Sequence, residues 1–209
     1  MDTIYKSDTK RVFLTFDDGP SPVTSKILDI LKQENVKATF FILGSNVDSR
    51  KDVVKRMYEE GHYLANHGYS HTYSKIYSSP QSVLDEYNEC NDKVKNAIEV
   101  PDYNSHLFRF PGGLAGGKYA EIKKEAKELL LQNNIVNVDW NALTGDAETN
   151  NLSVEFEMTR LTETMESKNS LVILMHDAAA KSVTADALPQ IIAKLKEEGY
   201  EFKNFYDII

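Results

Sequence analysis

The 209-residue sequence contains one cysteine, Cys90, and no apolar run of 18 residues. One thiol cannot form a disulfide within the chain, so the sequence excludes a fold held by disulfide bridges. Without a long apolar run, we expect no membrane-spanning helix. The opening stretch, MDTIYKSDTK, is polar and lacks the apolar segment of a signal peptide. An export signal or anchor is therefore not expected within this sequence.

Positive charge is scarce as well: 24 Lys and Arg residues face 32 Asp and Glu residues, for a formal charge of -8. Binding to DNA or RNA needs a basic surface, so no nucleic-acid partner is expected. Hydrophobic residues make up 41% of the chain, which is enough for a sizeable core. No linker rich in Pro, Gly or Ser and no internal repeat divides the chain, so we expect one domain over residues 1–209.

Short apolar runs alternate with longer segments of helical periodicity. The predicted strands are 12–16, 38–43, 62–66, 107–110, 135–140, 171–176 and 201–205. The predicted helices are 24–35, with Thr24 or Ser25 as N-cap, 50–61, 80–98, 118–132, 154–167 and 187–199. Strict alternation of this kind is typical of a parallel sheet covered by helices. A closed or nearly closed barrel and an open doubly wound sheet both fit the pattern.

Ionisable residues fall at the carboxyl ends of the first, third, fifth and sixth predicted strands and on the fourth. They are Asp17, Asp18, His67, Arg109, Asp139 and His176. In a parallel barrel this end carries the active site, and in an open sheet it carries the ligand crevice. We therefore expect these side chains to meet at one functional site.

The segment HGYSH (67–71) spaces two histidines as His-x3-His. On one helical turn, this spacing lets both imidazoles bind one metal ion. Two histidines and a carboxylate form a known catalytic zinc set, and Asp17 or Asp18 would supply the carboxylate. Adjacent residues point in different directions, so the other aspartate would act as general base on a water molecule. The alternative for TFDDGP is a plain turn, although a turn needs only one aspartate.

Four further residues are candidates for the site, and three of them also have a purely structural interpretation. Arg109 lies in an apolar run, where it needs a carboxylate partner: either a structural ion pair or the base aspartate. His176 is either a satisfied core or loop residue or an acid for a leaving group. Asp139 would orient a histidine, as a triad carboxylate does. Trp140, the only tryptophan, is either core or an aromatic wall for a sugar ring.

The motifs TFDDGP, HGYSH, RFPGG, VDWN and LVILMHD resemble, in order, the five motifs of the polysaccharide deacetylases, the NodB-homology domain of carbohydrate esterase family four. The resemblance runs from about Arg11 to Ile209. It implies an α/β fold, a distorted, incomplete (β/α) barrel of about seven parallel strands with outer helices. Two positions depart from the family pattern. Gly68 replaces a Ser or Thr whose hydroxyl helps to fix its loop, and Gly112 stands where a Tyr is frequent.

The resemblance also implies a role for each site residue. Asp17 would be the general base, held by Arg109. His176 would be the general acid, tuned by Asp139. The remaining implied residues are the metal ligands Asp18, His67 and His71 and the substrate contacts Gly112, Trp140 and Leu174. One divalent ion is implied, Zn²⁺ first, with Co²⁺, Ni²⁺ or Mn²⁺ as alternatives.

The implied activity is metal-dependent removal of N-acetyl groups from N-acetylglucosamine-type residues of a polysaccharide, either peptidoglycan or chitin oligomers, with release of acetate. The alternatives are O-acetyl ester hydrolysis on xylan, hydrolysis of a small cyclic amide, and carbohydrate binding without catalysis. Binding alone needs no acid, base and metal together, which disfavours the last alternative. A cell-wall substrate implies an extracellular or wall-associated protein, which we expect to be a monomer.

Overall fold

The computed structural model describes residues 2–208, and short 3-10 helices lie at Asp2–Tyr5 and Phe205–Asp207. The strands are β1 (Arg11–Asp17), β2 (Thr39–Ile42), β3 (Tyr63–Asn66), β4 (Leu107–Phe108), β5 (Val136–Asn137), β6 (Ala142–Leu143), β7 (Ser170–His176) and β8 (Glu201–Lys203). The helices are α1 (Pro22–Glu34), α2 (Gly44–Val47), α3 (Lys51–Glu59), α4 (Tyr73–Ile76), α5 (Pro80–Ile98), α6 (Ala120–Gln132), α7 (Val154–Met165) and α8 (Ser182–Glu197). No helix in the described range is long and apolar enough to cross a membrane.

The sheet is parallel throughout and is built around β1. Its strand order is β5-β4-β3-β2-β1-β7-β6, and β8 pairs with the first half of β1. Among residues 2–208, no hydrogen-bonded ladder joins the edge strands β5 and β6. The curled sheet is therefore an incomplete barrel with outer helices, which confirms the predicted fold class.

Strand β1 is buried on both faces, as expected for the centre of a parallel sheet. Val12, Leu14 and Phe16 point outward into the larger apolar cluster, which contains the buried faces of α1 and α8. Phe13 points inward and belongs to the apolar cluster that fills the base of the half-barrel. Because side chains alternate along a strand, every second residue after Phe13 also points inward. Asp17 is therefore an inward-pointing residue at the carboxyl end of the interior.

Most elements lie where the periodicity predicted them, and α5 matches its predicted range. The predicted N-cap of α1 is wrong. Ser21 is the N-cap, because its hydroxyl accepts a hydrogen bond from the Val23 N–H at 3.0 Å, while the Thr24 hydroxyl accepts one from the Ser21 N–H at 2.8 Å. The sequence pattern did not predict α2, α4 or β6, because each is too short to show a period.

The contact between α7 and α8 encloses a carboxyl group. Glu157 of α7 has no exposed surface, and its Oε1 accepts a hydrogen bond from the Thr184 hydroxyl of α8 at 3.2 Å. Its Oε2 has no partner among the described residues. Burial, and to a lesser extent the negative charge of Asp146, raises the pKa of Glu157 to about 7. The fold therefore favours the protonated, neutral form of this side chain.

We predict that Glu157→Gln stabilises the protein more at pH 8 than at pH 5. Because the pKa is raised in the folded state, the stability linked to Glu157 is fully present below about pH 4.5 and is lost as the pH rises through about 7. A neutral amide avoids that loss, for a gain of about 1–3 kcal/mol at pH 8. Urea denaturation at both pH values measures it, with the exposed Glu155→Gln as control. A gain of equal size at both pH values would contradict the prediction.

Candidate active site and metal centre

The carboxyl ends of the strands bring the predicted ionisable residues together. The register of β1 and β7 places Asp17 opposite His176. His67 directly follows β3 and Arg109 directly follows β4, and the Arg109 N–H donates a hydrogen bond to the Asn66 carbonyl at 3.0 Å. Four side chains distant in sequence therefore lie at one end of the half-barrel interior.

Asp17 and Asp18 face different partners because the backbone turns between them. Asp17 is the last residue of β1, and its side chain is buried inside the half-barrel. Asp18 has a φ of 78°, in the left-handed region that aspartate adopts more readily than most residues. The Asn46 side-chain amide donates a hydrogen bond to the Asp18 carbonyl at 3.0 Å and supports this turn. The side chains of the two adjacent aspartates thus lie in different environments.

Asp18, His67 and His71 form a cluster of three metal-ligand atoms. These atoms lie within 4.8 Å of one another. Asp18 Oδ1 is 3.5 Å from His67 Nε2 and 3.5 Å from His71 Nε2. One carboxylate and two imidazoles are a ligand set of catalytic zinc sites, which leave room for water and substrate.

Two observations show that this cluster fits a divalent cation. Asp18 Oδ1 is buried and has no hydrogen-bond partner among the described residues, which is costly for a carboxylate oxygen unless a cation meets it. His67 Nδ1 lies 2.8 Å from the Arg109 carbonyl oxygen, so Nδ1 carries the proton and Nε2 keeps a lone pair for the cluster. Burial lowers the pKa of His67 to about 3, which keeps the imidazole in the neutral form that binds metals.

The two histidines lie on a loop, so the prediction that they share a helical turn is wrong. Residues 67–72 form no helix. Gly68 has a φ of 84° and His71 a φ of 53°, and neither value is compatible with a right-handed helix. The loop itself, rather than helical spacing, brings His71 back toward His67.

Glu86 of α5 holds this loop, so the hydroxyl that Gly68 lacks is replaced by other contacts. The Glu86 carboxylate accepts hydrogen bonds from the N–H groups of Tyr69, at 2.8 Å, and Ser70, at 2.7 Å. It also accepts one from the Ser70 hydroxyl at 2.5 Å. The Gly68 N–H donates to the Asn66 side-chain oxygen at 2.9 Å. Helix α5 and the end of β3 therefore fix the segment that carries His71.

Arg109 is fully buried and directs its donors at four groups. Its Nη1 donates to Asp17 Oδ1 at 2.8 Å and to the Thr15 hydroxyl at 2.8 Å. Its Nε donates to the Val138 carbonyl at 2.9 Å, and its Nη2 donates to the Asp139 carbonyl at 3.0 Å. The guanidinium thus orients the Asp17 carboxylate and leaves Asp17 Oδ2 directed toward the pocket, 3.8 Å from the Nε2 atom of His67.

The site separates a proton acceptor from a proton donor. Burial raises the pKa of Asp17 above its ordinary value, while the positive charges of Arg109 and His176 oppose the rise. Burial by itself would lower the pKa of His176. The hydrogen bond and negative charge of Asp146, together with the charges of Asp17 and Asp18, outweigh burial and raise the pKa of His176 to about 9. At neutral pH, His176 therefore carries a proton that it can donate.

Asp146, rather than Asp139, is the carboxylate that orients His176. Asp146 Oδ1 accepts from His176 Nδ1 at 2.8 Å, and Asp146 Oδ2 accepts from the His176 N–H at 2.7 Å. Asp139 instead accepts from the Leu114 N–H at 3.2 Å. The prediction that Asp139 tunes His176 is wrong. The sequence did not predict strand β6, which pairs with β7 and brings Asp146, rather than Asp139, next to His176. The available signal was Asp146 itself, which follows the short apolar pair of β6 in the segment TGD (144–146).

These groups surround a pocket of about 450 Å³. The residues that the resemblance implied as substrate contacts, Gly112, Trp140 and Leu174, all line it. The lining residues that the sequence did not predict are Tyr73, Ala147 and Lys181. They lie in loops or in the single-turn helix α4, where hydrophobic periodicity carries no information.

Tyr73 occupies the space beside Gly112. Gly112 has a φ of 75°, and a Cβ atom placed on it would lie 2.5 Å from the Tyr73 hydroxyl oxygen. The Tyr73 ring is 40% exposed and lies 5.6 Å from the His71 ring. In the described part of the chain, the Gly112 N–H donates to no other group. The pocket therefore presents an aromatic side chain and a free backbone donor next to the candidate metal ligands.

Comparison with known proteins points to one family. The sequence profile of the family described as polysaccharide deacetylase matches residues 5–132. The protein YheN of Bacillus subtilis is 38% identical over 200 residues, 92% of this chain and 66% of YheN. A peptidoglycan-N-acetylglucosamine deacetylase of Bacillus cereus is 34% identical over 96% of this chain and 71% of that protein. The solved structure of a CE4 esterase of Streptococcus mutans superposes with a TM-score of 0.88 at 35% identity, covering 97% of this chain and 90% of that one.

We predict that Glu86→Ala lowers the affinity for zinc about 10- to 100-fold, although Glu86 contacts no ligand atom. The change removes the acceptor that holds the loop before His71, so the cluster loses its fixed geometry. Titration of zinc against a competing chelator measures the affinity. Glu89→Ala, an exposed change in the same helix, is the control. Wild-type zinc affinity in Glu86→Ala would show that the loop holds its geometry without Glu86.

Proposed function

The chain belongs to the polysaccharide deacetylase family, and from that premise we propose that it is a metal-dependent hydrolase that removes N-acetyl groups from N-acetylglucosamine residues of a polysaccharide. The observation that carries the proposal is the separation of three tasks within one pocket. A cluster of metal-ligand atoms lies beside the Asp17–Arg109 pair and beside His176, which Asp146 orients. Metal-dependent hydrolysis uses a metal site, a proton acceptor and a proton donor together, whereas sugar binding needs none of them.

Asp18, His67 and His71 would hold the ion. Two imidazole nitrogens and one carboxylate oxygen suit Zn²⁺, with Co²⁺, Ni²⁺ or Mn²⁺ as alternatives. A bound divalent ion would polarise the acetamide carbonyl and favour the ionisation of water.

The side chains of the pocket move the protons. Asp17 accepts the proton of the attacking water, while Arg109 keeps the carboxylate in position. As the water oxygen bonds to the acetamide carbon, the Gly112 N–H donates a hydrogen bond to the developing oxyanion. His176 then gives its Nε2 proton to the sugar nitrogen as the C–N bond breaks, which leaves acetate and a free amine. Asp146 holds the opposite side of the imidazole in the correct tautomer.

The pocket walls fit an N-acetylated sugar. Trp140 and Leu174 supply apolar surface for the acetyl methyl group, and the exposed Tyr73 ring supplies a face for the sugar. The name of the Bacillus cereus relative supports peptidoglycan as the first substrate to test, ahead of chitin oligomers. A cell-wall polymer as substrate would place the action of the protein outside the cell.

Acetate release tests the proposal. Metal-stripped protein is assayed on peptidoglycan, on N-acetylglucosamine oligomers and on acetylated xylan, before and after zinc or cobalt is added. We expect acetate from at least one of the two N-acetylated substrates, and only with metal present. No acetate from either of them, with the ion shown to be bound, would contradict the deacetylase proposal, and release from xylan alone would point to an ester hydrolase.

We predict that Asp17→Asn abolishes turnover while one ion per chain stays bound. The amide cannot accept the proton of water, and Asp17 is not one of the three clustered ligand residues. Acetate release and metal content are measured on the same preparation. Activity close to that of the wild type would refute the role of Asp17 as base.

We predict that Asp146→Asn lowers kcat about 100-fold or more, whereas Asp139→Asn lowers it by less than about tenfold. Of these two aspartates, only Asp146 contacts the His176 imidazole, so only its amide variant loses the carboxylate that orients His176 and helps to keep it protonated. Steady-state kinetics on one oligomer compares the two variants. A larger loss in Asp139→Asn would restore the assignment suggested by the sequence alone.

A further inference from the structure

We propose that the crevice lined by Arg50 is a subsite for a carboxylate carried by the sugar next to the one being deacetylated. This inference rests on the proposed function, because it requires a sugar polymer to lie across the pocket. The crevice has a volume of about 420 Å³, and it shares Asp18 and His71 with the catalytic pocket. The two depressions are therefore continuous, and a polymer with one sugar in the pocket can lay its neighbour over the crevice.

Arg50 differs from the basic residues around it. Its guanidinium has no hydrogen-bond, ion-pair or ring partner among residues 2–208, although the side chain is half-buried. By contrast, Lys51 and Lys93 lie 3.6 and 2.5 Å from Asp48, and Arg56 lies 2.7 Å from Asp29. The chain has a formal charge of -8, so acidic residues are abundant. Even so, the Arg50 guanidinium has no acidic partner among the described residues at the edge of the candidate active site.

Apart from Asp18 and His71, which belong to the candidate metal cluster, the other polar groups near the crevice are already engaged. The Asn46 side-chain amide donates to the Asp18 carbonyl at 3.0 Å, and the Ser49 hydroxyl donates to the Asn46 carbonyl at 3.0 Å. Lys181, the basic residue of the adjoining pocket, donates to the Asp146 carbonyl at 2.5 Å. Arg50 is thus the cationic lining side chain whose donors remain open to a ligand.

A guanidinium suits a carboxylate because its planar donors match the two oxygens of that group. Chitin oligomers offer only neutral sugars to this crevice. In peptidoglycan, the neighbouring sugar bears a lactyl group that ends either in a free carboxylate or in a peptide with carboxylates of its own. An Arg50 subsite therefore favours a polymer with acidic substituents over a neutral one.

Kinetics on matched glycans tests the subsite. The wild type and Arg50→Gln are compared on an N-acetylglucosamine tetramer, on a peptidoglycan tetrasaccharide with free lactyl carboxylates, and on the same glycan with its peptides attached. We expect Arg50→Gln to raise the ratio of KM for an acidic glycan to KM for the neutral tetramer about fivefold to tenfold, with kcat little changed. High salt should reduce the difference in this KM ratio between the wild type and Arg50→Gln, because salt screens an ion pair that solvent can reach.

The control variant is Lys51→Gln. Lys51→Gln removes a neighbouring charge that is paired with Asp48 and lies outside the crevice, so it should leave the ratio unchanged. An effect confined to the glycan with peptides would support the subsite and assign the carboxylate to the peptide. An equal loss on neutral and acidic glycans, or no loss on either, would overturn the subsite.

A binding measurement separates this inference from the deacetylase proposal. Trp140 is the only tryptophan and lines the pocket, so its fluorescence reports glycan binding without turnover in an Asp17→Asn background. Adding Arg50→Gln should weaken binding of the acidic glycan about fivefold to tenfold, whether or not the wild type releases acetate. Failure of catalysis with intact Arg50-dependent binding would refute only the proposed reaction, whereas binding that ignores Arg50 would refute only the subsite.

Discussion

The buried ion pair between Arg109 and Asp17 is the interaction on which the rest of the site depends. Removing one partner of such a pair leaves an uncompensated buried charge, which costs about 3–5 kcal/mol. Arg109 also stacks over the Phe41 ring at 3.9 Å and bonds to the carbonyls of Val138 and Asp139. One side chain therefore ties the centre of the sheet to the segment after β5, and it does so beneath the pocket.

Besides Asp139, the same end of the half-barrel holds four aspartates, Asp17, Asp18, Asp146 and Asp177, and these four have different partners. Three of them have a partner within the protein: Arg109 for Asp17, His176 for Asp146, and the Thr24 hydroxyl for Asp177, at 2.6 Å. Burial raises the pKa of Asp177 to about 7, so this deepest carboxyl group is easily neutralised. Asp18 and Asp177 each have a buried oxygen without a partner in the described chain, but only the partnerless oxygen of Asp18 faces two imidazoles. The electrostatic balance of the site thus points to a cation at Asp18.

The sequence predicted what depends on periodicity and on strand ends. Alternating strands and helices predicted a parallel sheet covered by helices, and the family resemblance predicted its incomplete barrel form. The residues that end β1 and β7 did meet, because parallel strands carry their carboxyl ends to one side. The partner of His176 was missed because Asp146 follows a strand of two residues, too short for any pattern. The fixing of the histidine loop by Glu86 and the placement of Tyr73 beside Gly112 are tertiary contacts, which local sequence does not encode.

X-ray absorption spectroscopy of the zinc-loaded protein tests the central claim most directly, since it reports the atoms bound to the ion. The account predicts one ion per chain with two imidazole nitrogens and a carboxylate oxygen among its ligands, and loss of imidazole scattering when His67 and His71 are replaced by alanine. An ion bound without imidazole, or a spectrum unchanged by the two replacements, would contradict the assignment of this cluster as the metal site.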